Sequence, residues 1–162
     1  MMRSLNEIQG MVLKAARGAG IPLGHCEELA VAAGALAQCG ALSGLPEVLA
    51  FGGDVVLQER GEDAVILTGA SAVMVGHAGL DAMACGAERV RLCGVEAMDV
   101  LAGLVAARGG VVMAKGDGEV ILSASDTPAI EVVGPIEVND AVWAALDGFA
   151  CKTYVPATEA SR

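Results

Sequence analysis

Only four side chains in this 162-residue chain are large aromatics: Phe51, Trp143, Phe149 and Tyr154. The core must therefore be built from Ala, Val, Leu, Ile and Met. Side chains that small bury enough surface only where helices and strands approach closely, and the 22 glycines permit such approaches. Apolar residues make up 54% of the chain and charged residues 19%. Soluble domains usually carry about 25% charged residues. The chain is therefore short of groups to cover its surface, which points to possible association with another copy.

The net charge of −10 excludes two function classes. A nucleic-acid binder shows a basic patch, whereas the ten Lys and Arg residues here are scattered and few aromatics offer stacking. Attraction to anionic membranes is disfavoured for the same reason. Met1 to Glu7 contains no apolar signal-peptide core. The longest apolar run, Leu29 to Leu45, is rich in Ala and Gly and falls short of the roughly 20 residues a span requires. Cys26, Cys39, Cys85, Cys93 and Cys151 form no disulfide framework and read as reduced thiols of a cytoplasmic protein.

Ser4-Leu5-Asn6-Glu7 is a capping box. Leu5, Ile8, Met11, Val12, Ala15 and Ala16 follow at helical spacing, predicting a helix from about Leu5 to Arg17 that ends near Gly18 or Gly20. Glu27 to Cys39 reads as a second helix, central because it is apolar nearly all round, with Glu27 and Glu28 suiting its dipole. A short helix from Pro46 to Phe51 follows. Asp54 to Gln58, Ala64 to Thr68, Val90 to Cys93, Val111 to Lys115, Val120 to Ser123 and Ile130 to Val133 read as strands. Gly116-Asp117-Gly118-Glu119 is a hairpin turn. Most of Ala70 to Gly86 and Val95 to Ala107 read as helices, and Asn139 caps a last one. The expectation is one α+β domain with N-terminal helices packed on a mixed or mostly antiparallel sheet. Residues 1–52 are mainly helical, 53–150 mix strands and helices, and 151–162 form an exposed tail.

The opening Ser4-Leu5-Asn6-Glu7-Ile8 with Lys14-Ala15-Ala16-Arg17-Gly18-Ala19-Gly20, then Gly24 and Glu27-Glu28, resembles the start of DUF3726, a bacterial family of unknown function. The ending Thr153-Tyr154-Val155-Pro156-Ala157-Thr158-Glu159-Ala160-Ser161-Arg162 is similar to its C-terminal motif. Leu23 stands where that family often has an aromatic residue, and its members tend to continue past Ser161-Arg162 into a Gly/Ala-rich tail. The resemblance implies a family and no reaction.

Lys14 and Arg17 share a helix face opposite the apolar stripe, and Gly18 and Gly20 bring free backbone beside them. Two cations beside a small-residue loop suit a carboxylate or phosphate, although cations also simply suit a helix C-terminus. If the stiff Tyr154-Val155-Pro156 segment folds back, Tyr154 and Arg162 would complete an anion pocket. The other constellations are weaker. Gly18 to Gly24 matches a dinucleotide glycine spacing but follows a helix instead of a strand. Adjacent His25 and Cys26 point about 100° apart on a helix, so Cys26 reads as structural, with His77 or Cys151 as remote partners of a reactive pair. His77 with Asp81 one turn on reads as a hydrogen-bonded surface pair. The stretch around Ser71 lacks the final glycine of a nucleophile elbow. No metal-ligand spacing is present, and no cofactor is implied. The expected function is a small binding or accessory protein for an anionic metabolite. An enzyme acting on a carboxylated substrate and a structural subunit acting by association are the alternatives.

Overall fold

The computed structural model describes residues 1–154. A two-residue strand β1 (Met2–Arg3) leads into helix α1 (Leu5–Gly18). The capping box forms: the Glu7 N–H donates to Ser4 Oγ and the Ser4 N–H donates to the Glu7 carboxylate at 2.9 Å. Ile8, Val12, Ala15 and Ala16 make its buried stripe, as the spacing predicts.

Helix α2 (Leu23–Gln38) begins four residues before the expected Glu27, because Pro22 serves as its N-cap and the Cys26 N–H already bonds the Pro22 carbonyl. Glu27 and Glu28 therefore stand in its second turn and are not first-turn dipole partners. A 3-10 turn (Ala41–Gly44) and α3 (Leu45–Leu49) close the helical part.

Strands β2 (Leu57–Arg60) and β3 (Val65–Thr68) form an antiparallel pair. Helix α4 (Ala72–Ala84) crosses over to β4 (Arg89–Cys93), which runs parallel to β3. Helix α5 (Met98–Arg108) then leads to the hairpin of β5 (Val111–Lys115) and β6 (Glu119–Ala124), and β6 joins β4 antiparallel. The sheet order is β2-β3-β4-β6-β5, mixed and mostly antiparallel. A further strand β7 (Ile136–Glu137) pairs with β1, and α6 (Asp140–Ala150), capped by Asn139, ends in a 3-10 turn (Cys151–Thr153).

The fold is α+β. Val90, Leu92, Val120 and Leu122 point to one face of the sheet and are buried there, while Ile66, Arg91 and Ile121 form a cross-strand row on the other. The helices lying on the buried face are α4 and α5. The N-terminal helices stack behind these, α2 on α4 and α5, and α1 on α2 and α6. Glycine makes this layering possible. A Cβ at Gly79 would come within 3.0 Å of Leu92 and Leu122, one at Gly76 within 3.1 Å of Leu101 and Leu104, and one at Gly103 would strike Leu36.

One expected strand is absent. Ile130 to Val133 forms no ladder; instead the Ile130 N–H bonds the Ala106 carbonyl at 2.9 Å, and the segment crosses the end of α5, where the backbone of Ala129 lies against Gly109. Pro128 and Gly134-Pro135 bound the segment, and its course across α5 leaves no strand beside it to pair with.

Candidate small-molecule cleft

Where α2, α4 and α5 meet, they enclose a cleft of about 250 Å³. Glu27, Glu28 and Val31 of α2 form one wall, His77 and Leu80 of α4 the floor, and Leu104, Ala107 and Arg108 of α5 the opposite wall. Its lining is mostly apolar with a few charged groups, the usual makeup of a small-ligand site.

His77 is only 4% exposed. Its Nδ1 lies 3.2 Å from Glu28 Oε2, and the Nδ1 of His25 lies 3.3 Å from the same oxygen. The two imidazoles are stacked, with centroids 5.4 Å apart and planes within 9°. Burial pushes the His77 pKa down to about 4; the Glu28 charge opposes the shift, and His25 and Arg108 add to it. At neutral pH His77 is therefore neutral and its contact with Glu28 is not an ion pair; the hydrogen bond to Glu28 Oε2 is made by His25. The Nε2 of His77 is buried without a hydrogen-bond partner among the described residues. Buried polar atoms seldom go unpaired, so this one calls for an explanation.

Asp81 is not the partner of His77, and His77 is not on the surface. Asp81 instead faces Arg108, with Oδ1 to Nη2 at 3.9 Å, the long limit of an ion pair. The sequence reading missed the cleft because its polar residues come from three helices far apart in the chain. One local signal was present: α4 is buried along nearly its whole length around a single histidine, and a buried imidazole must find a partner.

The residues expected to hold an anion lie elsewhere. Lys14 and Arg17 are exposed on α1, with no ion-pair partner among the described residues. Gly18 sits against the Phe149 carbonyl of α6, where a Cβ would clash outright. Gly20 has a φ of +83°, and its carbonyl would lie 2.7 Å from a Cβ on Gly53. Gly18 therefore has a packing reason and Gly20 a backbone one, its left-handed φ. The 3-10 turn after α6 does pack on α1. Tyr154, however, donates its hydroxyl to Asp147 Oδ1 at 3.2 Å, and Arg162 lies outside the described residues. None of the described ones, Lys14, Arg17, Gly18, Gly20 and Tyr154, lines the cleft.

The nucleophile candidates are occupied as well. Cys26 is fully buried, its thiol donates to the Ile21 carbonyl at 3.2 Å, and burial pushes its pKa up. Ser71 caps α4, its Oγ accepting the Met74 N–H at 3.3 Å. Among the described residues no three potential ligands are placed to hold a metal ion, and no helix is long and apolar enough to cross a membrane.

Residues 3–51 match the family model described as protein of unknown function (DUF3726). This part of the chain is similar to that family. It holds α1, α2 and α3, and so supplies the Glu27–Glu28 wall, whereas His77 and Arg108 lie beyond it. The C-terminal part of the resemblance falls outside the match. No curated protein and no solved structure matches the chain.

Proposed function

We propose that the protein is a small binding or accessory protein for an acidic metabolite, and that the ligand occupies the α2/α4/α5 cleft. The observation that carries this reading is His77: a buried imidazole, 3.2 Å from the Glu28 carboxylate, lining a cleft that also presents Arg108. Arg108 replaces Lys14 and Arg17 as the anion partner because it stands at a concave, largely apolar site. Five free cysteines support a reducing, cytoplasmic location.

Catalysis on a carboxylated substrate is the weaker reading. An imidazole with a pKa near 4 is a poor general base at neutral pH, and the buried Cys26 thiol is not activated. Association is favoured by one feature, the exposed edge strand β2 with Leu57 and neighbouring Val55 in solvent.

The test is a thermal-shift screen against carboxylate and phosphate metabolites, with Arg108→Ala and Arg17→Ala alongside. A ligand at about 100 times its Kd adds roughly 2.7 kcal/mol. A shift lost in Arg108→Ala and kept in Arg17→Ala is expected. The converse would move the site to the end of α1, and no shift at all would sink the binding reading.

A further inference from the structure

We infer that the open face of the five-stranded sheet is a dimer interface, and that it takes the same face of a second copy of this chain. This goes beyond the ligand reading, because the cleft lies among the helices on the other side of the sheet.

The strands themselves are built for two covers. A strand with one face in solvent alternates apolar and polar residues, whereas one buried on both faces is apolar throughout. Val65-Ile66-Leu67 of β3, Val111-Val112-Met113-Ala114 of β5 and Val120-Ile121-Leu122 of β6 are of the second kind. Yet among the described residues the helices packed on this sheet, α4 and α5, lie on one face only. The register gathers Leu57, Ile66, Ile121, Val112 and Ala114 on the other. Leu57 is 63% exposed there, Val112 42%, and Val55, two residues before Leu57, 80%. Five strands span roughly 24 Å across and about 17 Å along the chain, so with its side chains the face offers on the order of 600–800 Å², close to what each partner of a stable dimer buries. Charge favours a second copy as the cover. Arg89 and Arg91 against Glu59 and Glu119 leave this face neutral, in a chain of net charge −10. Two copies therefore meet here without the repulsion that the rest of the surface, which holds the excess of acid, would bring. Arg91 already pairs with Glu119 at 3.0 Å and Arg89 with Asp63 at 3.3 Å, so covering them leaves neither cation unpaired.

The experiment is analytical ultracentrifugation of the full chain across micromolar concentrations, with three variants. The wild type is expected to sediment at twice the chain mass. Val112→Glu and Ile121→Glu put an unpaired charge on the face and should weaken the dimer by at least about tenfold. Val133→Glu, at a position 79% exposed outside the sheet, should leave it unchanged. Cys93 lies on the same face, half-buried, and supplies a second readout by mass-spectrometric thiol labelling. It should be protected in the wild type and labelled in Val112→Glu, while the exposed Cys39 and Cys85 are labelled in both. Should Ile121→Glu not fold, Val112→Glu carries the test, because its position on the edge strand β5 is already exposed. A wild type that stays monomeric overturns the inference and hands the face to a different partner. A dimer that both variants leave intact, or one that leaves Cys93 open to label, places the contact elsewhere and overturns it too.

Discussion

The end of α1 and the α2/α4/α5 cleft are opposites. At the first, two exposed cations stand beside glycines; at the second, one neutral imidazole is enclosed between a carboxylate and apolar side chains. Charge is conspicuous at α1, but solvent screens it; the neighbouring Gly18 serves helix contact and Gly20 a left-handed turn. The cleft carries Glu27, Glu28 and Arg108, of which Glu27 and Arg108 are also exposed, but it adds a buried His77 held by packing. Placement by a rigid scaffold, more than the number of charges, makes a polar group useful to a ligand.

The contrast can be broken most forcefully at Gly18. Replacing it with Val drives a side chain into the Phe149 backbone, which cannot yield as a side-chain tip can. We expect a loss of about 3 kcal/mol in chemical denaturation. A stable Gly18→Val protein would mean that the glycine is not there for packing, and the anion reading of α1 would regain weight.

Acid should expose the cleft next. The folded-state pKa of His77 lies near 4 against 6.5 when free, so the unfolded chain binds more protons between these values. Stability should therefore fall as pH drops from about 6.5 to about 4, by about 3 kcal/mol if the full shift is expressed. Above that window His77 contributes no slope. Denaturation midpoints measured across this range should fall in the wild type and stay flatter in His77→Phe. Equal slopes would show that another group dominates.

Glu28→Gln keeps the volume but removes the charge that His25 hydrogen-bonds and that lies beside His77. A loss of about 1 kcal/mol is expected at pH 7, together with a changed His25 tautomer signal by 15N NMR. Lys14→Ala and Arg17→Ala should be the mildest, each within about 0.5 kcal/mol in thermal melts. A large destabilisation from either would show that its exposed position hides a structural contact.

Most helices were legible from residues near one another. The capping box at Ser4 and Glu7, the stripe through Ile8, Val12 and Ala15, the Gly116 to Glu119 turn and the Asn139 cap act within a few residues, and each forms. The strand expected at Ile130 failed because a β-rich run makes a strand only if a neighbouring ladder accepts it, and this one is led across α5. The early start of α2 at Leu23 was hidden by Pro22, which reads as a break yet serves well just before a first turn.

Local periodicity and composition thus decided the α+β class, the two chief helices and a core of small side chains, because these follow from interactions within a few residues. The pairing of His25 and His77 on one Glu28 oxygen, the loose Arg108–Asp81 contact and the burial of Nε2 followed from how three helices pack. Glu28, His77 and Arg108 are 31 to 80 positions apart, and no spacing rule links them. What brings them together is the packing of α2, α4 and α5, where Gly76 and Gly103 lie close to leucine side chains of the neighbouring helices.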